Sequence, residues 1–438
     1  MRVNRVLTVA VGSLLLSLCL SPQALPQISK LDRDRAQGIL DVVGNEIRKH
    51  YYDPKLHGVD WDAQLAQAHQ KIADAKSFNM AMSHIAAALN SLDDSHTFFL
   101  PPVRPYRIDF GWEYQMIGDR CFVTHVRPGS DAEAKGVKPG DAVLSVNGFT
   151  PDRDNQWTMH YVFTVLRPQP TLRLTLQDPA GGQRQVEVAT KIRETSKVKD
   201  FSVDMWNIIR DEESEAHRMR SRSVEYGDEL LVLRIPGFFY TPTEVGDMIG
   251  KARKHKALII DLRGDGGGSV DTLAFLVGGI FGRELKIADR VGRKENKPQL
   301  AKGFHEPYAG KVIVLVDSDS ASAAEVFARV IQLEKRDVIM GDRTAGAVME
   351  AKHYNEQMGG DFIVYYGISI TDADVVMSDG KSLEHIGVTP DEPLLPSASD
   401  IASGRDPVLA HAAQSAGVKL SPEEAGKLFP YEWPEQFF

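Results

Sequence analysis

The sequence predicts an α/β fold whose main sheet is parallel and covered by helices on both faces, preceded by a helical segment and a β-rich domain. Continuous apolar runs at 257–262, 312–316 and 337–340 alternate with helical patterns, as in parallel sheets that are buried on both faces. Residues 107–190 instead alternate short strand-like runs with turns. Residues 29–90 carry helical periodicity.

The first residues are typical of a secretory signal peptide. Arg2 and Arg5 precede an apolar run, residues 6–20, that is short for a membrane span and ends in small residues. We therefore expect residues 1–27 to be removed on export to the periplasm or the medium, which leaves no membrane span. Leu18 stands before Cys19 where lipid attachment needs a small residue, so no lipid anchor is expected.

Composition excludes several classes of function. The 438 residues are 42% hydrophobic and 25% charged, which is ordinary for two or three soluble domains. Removing residues 1–27 takes the formal charge from −9 to −11, so binding to nucleic acid or to an anionic membrane is not expected. Cys121 would be the one cysteine left, which allows no intrachain disulfide. Without a Cys pair or a helical His-x-x-x-His, we expect no metal and no cofactor.

Residues 28–104 are predicted to form an N-terminal helical domain. Apolar stripes run through 39–47 and 85–89. A short polar segment containing Ser95 and His96 follows, and a proline-rich stretch ends the unit.

The β-rich domain, residues 107–192, has strand-like runs at 121–126, 142–146 and 172–176. Residues 136–148 (GVKPGDAVLSVNG) form a turn, a strand and a second turn. This segment resembles the signature of the PDZ domain.

Residues 110–113 (FGWE) lie where a PDZ domain has its peptide-carboxylate loop, but they depart from the usual Gly-aliphatic-Gly pattern. Two interpretations stay open. The domain binds the C-terminus of a peptide through backbone N–H groups, or it only packs on its neighbour.

Residues 311–325 (KVIVLVDSDSASAAE) are the most informative stretch. An apolar strand breaks into small polar residues and then into a helix from Ala323 to about Lys335. A serine at this turn, beside the unpaired N–H groups of a helix N-terminus, has the surroundings that a nucleophile needs. The alternative is that Ser320 or Ser322 merely caps the helix.

Residues 261–268 (DLRGDGGG) directly follow a buried strand. Three glycines allow the backbone to approach a ligand closely and to turn N–H groups toward it, which suggests half of an oxyanion hole. A phosphate loop is an alternative, but the Gly-Lys-Ser/Thr of a P-loop is missing. A plain tight turn is another.

These segments together resemble the carboxyl-terminal processing protease superfamily, which includes the tricorn protease core and interphotoreceptor retinoid-binding protein. The matching motifs are LDDSH at 92–96, DLR with GGG at 261–268, SASAAE at 320–325 and GVTPD at 387–391. The resemblance implies a crotonase/ClpP-like ββα core at 200–398, with the N-terminal helical segment and the PDZ domain before it. A C-terminal helical tail would span 399–438.

The superfamily has two catalytic arrangements, and the resemblance implies the less common one. In the processing branch a lysine base follows the glycine of a Thr-x-Gly segment. Here Ala347 follows Thr344-Ala345-Gly346, so that lysine is absent. The tricorn-like branch uses a histidine instead.

The resemblance also assigns roles. Ser322 would be the nucleophile and His96 its general base. Glu384 would orient His96 through Ser95, whose hydroxyl can both donate and accept, in parallel with a Ser-His-acid triad.

The N–H groups of Gly267 and Ala323 would stabilise the oxyanion, with Gly266 or Gly268 as substitutes for the first.

Other assignments stay open at this point. Lys352 could act as a displaced base, and Ser320 could be the nucleophile. Asp93 and Asp94 are expected to form a turn and a cap, and His385 to be a solvated or packing residue.

The predicted function is that of an exported serine endopeptidase that acts on proteins or peptides, with a PDZ peptide ligand and a homo-oligomer as further expectations. One alternative is a catalytically inactive relative that binds ligands or peptides. Another is an adaptor whose PDZ domain recruits partners. The charged stretch 211–222 could be a mobile lid or a cleavable segment.

Overall fold

The structure is a computed structural model, and it describes residues 28–102, 104, 106–194, 218–293, 296–359 and 363–433. The predicted signal peptide, residues 1–27, lies outside the described residues, and so does most of the charged stretch 211–222. Among the helices of the described ranges, none combines the length and the apolar character that a membrane span requires.

Three helices form the N-terminal segment, each capped by a polar side chain at its start. They are α1 (Lys30–His50), α2 (Trp61–Ala73) and α3 (Phe78–Asn90), followed by the short strand β1 (Phe98–Leu100). Their apolar faces form one cluster that also includes Tyr161, Leu166 and Ile368. The helical segment therefore packs on both of the domains that follow it.

The β-rich domain has the strands that the sequence predicted. Its elements are β2 (Tyr106–Asp109), β3 (Trp112–Ile117), β4 (Arg120–Val126), α4 (Asp131–Ala134), β5 (Ala142–Val146), α5 (Gln156–His160) continued by a π-helical stretch (Tyr161–Leu166), β6 (Thr171–Gln177), β7 (Gln183–Ala189) and β8 (Lys191–Glu194). Strands β3 to β7 form an antiparallel sheet in chain order, and β2 pairs with β8.

The main sheet has the order β18-β15-β14-β11-β10-β9. Its strands are β9 (Arg222–Tyr226), β10 (Leu230–Arg234), β11 (Ala257–Asp261), β14 (Lys311–Val316), β15 (Val338–Gly341) and β18 (Glu392–Pro393). All neighbouring pairs are parallel except β9 with β10. The predicted parallel sheet is confirmed.

Helices cover both faces of this sheet, as predicted. They are α6 (Pro242–Ala252), α7 (Val270–Phe281), α8 (Ala323–Leu333), α9 (Ala398–Ala402), α10 (Pro407–Ser415) and α11 (Pro422–Ala425). Side chains of α6, α7 and α8 pack on one face, and those of α10 and α11 pack on the other.

A second core sheet was not predicted. It contains β12 (Leu285–Gly292), β13 (Asn296–Ala301), β16 (Met349–Met358) and β17 (Val364–Met377), with β1 added at β17. β13 and much of β16 are exposed, so they lack the continuous apolar run that identifies a buried strand.

The two sheets bring distant parts of the chain to one place. β11 and β14 are parallel neighbours, with Asp261 opposite Leu315, so the loops after both strands lie at the same sheet edge. β1 pairs with β17, with Phe98 opposite Ser369. This pairing fixes the segment just before β1 to the core.

Candidate active site

Ser322 lies between the end of β14 and the start of α8. Its backbone has φ 54° and ψ −117°, a conformation that costs a non-glycine residue about 1–3 kcal/mol. The Ser322 N–H donates to the Ala347 carbonyl at 2.9 Å. Ser322 and Glu325 form a capping box at the start of α8. Within the described ranges the Ser322 hydroxyl donates no hydrogen bond, so its proton is available to a base.

The glycine loop lies directly against this serine. A Cβ placed on Gly267 would come within 2.6 Å of the Ser322 Cβ and 3.0 Å of the Ala323 nitrogen, so only glycine fits. The Ala321 N–H also donates to the Asp265 carbonyl at 2.8 Å. The loop and the serine turn therefore form one unit.

The Gly267 amide does not fit its predicted role as an oxyanion donor. Its N–H donates to Asp265 Oδ1 at 2.7 Å, so the donor is already used. The Ala323 N–H belongs to the first turn of α8, where amides lack helical partners. The expectation that this amide stabilises the oxyanion therefore stays a prediction with a physical basis.

Ser95, His96 and Glu384 form a hydrogen-bonded chain. The Ser95 hydroxyl lies 2.9 Å from Glu384 Oε2 and 2.7 Å from His96 Nδ1. The Ser95 N–H also donates to Glu384 Oε1 at 2.8 Å. Since the hydroxyl proton goes to the carboxylate, its oxygen accepts from Nδ1–H, which leaves Nε2 as the unprotonated nitrogen of a neutral imidazole.

Burial controls the ionisation of this chain. It lowers the pKa of His96, against the attraction of Asp94, and His353 lowers it further. Burial also raises the pKa of Glu384, although hydrogen bonds from Ser95 and Val348 oppose the shift. His96 is therefore neutral near pH 7 and able to accept a proton.

Residues 346–348 join the serine turn to the hydrogen-bonded chain. The Ala347 carbonyl accepts the Ser322 N–H, and the Val348 N–H donates to Glu384 Oε2 at 2.8 Å. The described residues show no hydrogen bond between Ser322 and His96. The structure thus forms two linked clusters, one around Ser322 and one around His96.

Glu325 braces the same loop, and its role was missed from the sequence. Its buried carboxylate accepts from the Thr344 hydroxyl (2.5 Å) and from the N–H groups of Gly346 (2.8 Å), Ala347 (2.9 Å) and Ser322 (3.1 Å). Burial raises the pKa of Glu325 to about 7, against these hydrogen bonds. A Glu three residues after a serine at a helix start is a capping-box pattern that could have indicated it.

The alternative catalytic residues have other partners. The Ser320 hydroxyl is fully buried and donates to the Leu262 carbonyl at 2.8 Å. Lys352 pairs with Asp372 at 2.5 Å and its side chain is 61% exposed. That ion pair raises the pKa of Lys352, the opposite of what a lysine base needs.

The neighbouring polar residues have structural contacts. Asp94 accepts the N–H groups of His96 and Thr97, as a turn cap does. Asp93 has φ 51°, a turn conformation. The exposed His385 ring contacts the Asp93 carbonyl at 3.1 Å.

Three family descriptions match parts of the chain. Residues 229–394 match peptidase family S41, residues 32–77 match the tricorn protease C1 domain, and residues 106–177 match the PDZ domain.

Similar proteins include the tail-specific protease of Haemophilus influenzae, 25% identical over 312 residues, which cover 65% of this chain and 41% of that protein. The carboxy-terminal processing protease CtpA of Bacillus subtilis is 23% identical over 337 residues, covering 74% of this chain and 65% of CtpA. The chain thus spans less than two thirds of the length of these relatives.

Solved structures share the fold. Mature CPAF covers 85% of this chain and 94% of its own, with a TM-score of 0.64 and 18% identity. The match to the photosystem II D1 C-terminal processing protease covers 82% of this chain and 93% of that protein's chain, with a TM-score of 0.51 and 18% identity.

Proposed function

The chain belongs to peptidase family S41, a family of serine-type peptidases, and on that premise we propose that it is an exported endopeptidase that cleaves peptide bonds through an acyl-enzyme on Ser322. The observation that carries the proposal is the hydrogen-bonded chain from Glu384 through Ser95 to His96 Nδ1. It holds an imidazole in the tautomer that a general base requires.

The chemistry proceeds in two stages. Ser322 Oγ forms a bond to the peptide carbonyl carbon as its proton passes to His96 Nε2. The C–N bond then breaks, and His96 gives that proton to the leaving amine. Water adds to the acyl-enzyme as His96 takes its proton. The C–O bond to Ser322 then breaks, His96 returns that proton to Ser322 Oγ, and the acid is released.

The negative oxygen of each tetrahedral intermediate needs hydrogen-bond donors. The Ala323 N–H supplies one, aided by the positive end of the α8 dipole. The glycine loop supplies the second. Losing one such donor lowers the rate by about 10²–10³.

The separation of Ser322 from His96 suits a free enzyme. Nucleophile and base are often loosely placed without substrate and come together in the complex. The Ser322 hydroxyl donates no hydrogen bond in the described ranges, so substrate binding that brings the 91–97 segment toward the serine turn completes the pair.

The PDZ domain would bind substrate or regulate the site, and its packing on the nucleophile turn supports this role. The Ser318 hydroxyl donates to the Met116 carbonyl at 2.5 Å, and the Gln115 amide donates to Asp317 at 2.8 Å. Residues 317–319 lie only a few positions before Ser322. Any movement of β3 would therefore reach the nucleophile turn.

Export, assembly and domain limits complete the proposal. Residues 1–27 would direct the chain to the periplasm or the medium, and the mature protein could form a homo-oligomer. We divide the rest into a helical domain (28–104), the PDZ domain (107–192), the protease core (200–398) and the tail (399–438).

The test is digestion of a random peptide library by the mature protein, with products identified by mass spectrometry. We expect cleavage by the wild type and none by Ser322→Ala or His96→Ala, both with unchanged thermal stability. Cleavage by either variant would refute the assignment. A wild type that binds library peptides without cutting them would favour the inactive, ligand-binding alternative.

A further inference from the structure

Asp265 is a buried carboxyl group of the glycine loop for which the mechanism above has no role. It has no exposed surface. Its Oδ1 accepts the Gly267 N–H at 2.7 Å, and its backbone carbonyl accepts the Ala321 N–H at 2.8 Å. Its Oδ2 is buried and has no hydrogen-bond partner among the described residues. Asp265 thus fixes the glycine loop through its side chain and joins that loop to the serine turn through its backbone carbonyl.

Peptide geometry shows which glycine amide remains available. The Gly267 carbonyl accepts the Phe238 N–H at 2.8 Å, and the Ser269 N–H donates to the Phe238 carbonyl at 2.7 Å. The peptide bonds of the described residues are trans, so the Gly268 N–H points opposite to the Gly267 carbonyl, away from Phe238. In the described part of the chain this amide has no partner.

The Gly267 amide, by contrast, is held by Asp265 on the side of the loop that faces the protein interior. The two neighbouring amides of the loop therefore have different uses. Gly267 anchors the loop against the Ser322 turn, where a Cβ on Gly267 would come within 2.6 Å of the Ser322 Cβ. The adjoining Gly268 N–H, which points away from Phe238, is the loop amide that remains available.

The charge of Asp265 also matters, because a carboxylate beside the developing oxyanion would repel it. Burial raises the pKa of Asp265 to about 8, while the Gly267 N–H and Arg234 oppose the shift and Asp317 adds to it. Tyr240 also faces this carboxyl group. The group is mainly neutral at pH 7 and ionises above about pH 8.

We propose that Asp265 is a positioning residue for the oxyanion hole, which as the neutral acid anchors the Gly267 amide and leaves the Gly268 and Ala323 amides to stabilise the oxyanion. This inference rests on the proposed function, since it requires an acyl-transfer reaction at Ser322. The neutral acid keeps the carbonyl oxygen that accepts the Gly267 N–H without placing a charge beside the reaction.

Asp265→Asn separates positioning from charge. The amide keeps an acceptor for Gly267, so we expect kcat at pH 7 within about threefold of the wild type, far from the 10²–10³ loss of a missing donor. Activity of the wild type should fall as pH rises through about 8, because Asp265 loses its proton. Asp265→Asn should keep its activity there.

Asp265→Ala removes the anchor. We expect kcat to fall about 10²–10³ with little change in KM, because the oxyanion hole acts in the transition state. Thermal unfolding monitors folding of this variant. If it does not fold, the pH profile of Asp265→Asn still decides the question.

Asp319→Asn is the matched control. Asp319 lies on the neighbouring turn and is exposed there, although crowding by surrounding atoms, together with Asp317 and Glu113, raises the pKa of its carboxyl group as well. Its side chain has no hydrogen bond to the glycine loop within the described ranges. The activity of this variant should therefore fall as pH rises through about 8, as the activity of the wild type does.

Two results would overturn the inference. One is that the activity of Asp265→Asn still falls as pH rises through about 8. The other is that Asp265→Ala folds and has the kcat of the wild type. A wild type that neither cleaves peptides nor reacts at Ser322 would refute the proposed function instead. The two failures are therefore distinct.

Discussion

Ser322 combines a strained backbone with a hydroxyl that donates no hydrogen bond within the described ranges. Its positive φ places Oγ at the junction of a buried strand and a helix N-terminus, and strain of this kind collects at functional positions. The residue types and the turn were predictable from sequence. The strain was not, because it depends on the Ala347 carbonyl and the glycine loop, which only the fold brings together.

The partners of His96 show the limit of sequence reasoning at this scale. Ser95 and Glu384 are separated by 289 positions, so no periodicity relates them, and only the resemblance to known motifs paired them. The structure brings both into one hydrogen-bonded chain. It does not place His96 in hydrogen-bond contact with Ser322 among the residues described.

The pH dependence of kcat/KM should report the ionisation of His96. A base works only when unprotonated, so activity rises with pH through its pKa. Since burial lowers that pKa, we expect the acidic midpoint below about 6.5, the ordinary value for histidine. A midpoint near 7 would instead indicate Glu325, whose pKa is raised to about 7.

At the scale of elements, α8 does more than present Ser322. Glu325 on its first turn accepts four hydrogen bonds, three of them from the loop at 344–347. This loop occupies the place where the processing branch carries its lysine. In this chain the Ala347 carbonyl instead accepts the Ser322 N–H, and the Val348 N–H donates to Glu384. The loop thus fixes both the nucleophile and the hydrogen-bonded chain that ends at His96.

Glu325→Gln tests this brace. Each carboxylate oxygen accepts two donors, so an amide would turn its NH₂ group toward two N–H or O–H donors. We expect a loss of at least about 2 kcal/mol in the free energy of unfolding, from buried groups left unsatisfied, together with a fall in kcat. Denaturant unfolding and steady-state kinetics measure the two effects.

Glu334→Gln is the control for that variant, because Glu334 ends the same helix and pairs with Arg283 near the surface. It should change stability by less than about 1 kcal/mol. Equal effects of the two changes would show that Glu325 acts only through general helix stability.

At the scale of the whole molecule, the PDZ domain and the core are joined beside the nucleophile. Asp342, at the end of β15, accepts from the Gly118 N–H and from Arg153 Nη2, both at 2.7 Å. The side chains of Asp342 and Arg153 are largely buried. With the contacts of Ser318 and Gln115, these bonds form a polar interface between the domains.

Asp342→Ala should weaken that interface. It removes the charged partner of the largely buried Arg153 guanidinium, which keeps only carbonyl acceptors, and leaves the partly buried Gly118 N–H without its acceptor. We therefore expect a loss of about 2–4 kcal/mol in the free energy of unfolding. Asp62→Ala is the control, since Asp62 is 85% exposed and pairs with Arg48 at the surface. That variant should lose less than about 1 kcal/mol. Similar losses in both would contradict a structural interface at Asp342.

The same scale shows why part of the fold escaped prediction. The parallel sheet was visible because β11 and β14 are apolar throughout. The second sheet was not, since β13 and β16 have exposed polar positions and are defined only by their pairing, β13 with β12 and β16 with β17. Its edge strand β1 nevertheless carries the segment with His96 into the core. The site depends on the element that was hardest to predict.

The most direct test of Ser322 as the nucleophile is labelling of the mature protein with a fluorophosphonate, followed by mass spectrometry of the peptide that carries the adduct. The account predicts one adduct, on Ser322, absent in Ser322→Ala and formed far more slowly in His96→Ala. An adduct on Ser320 or another serine, or undiminished labelling of Ser322→Ala, would contradict it.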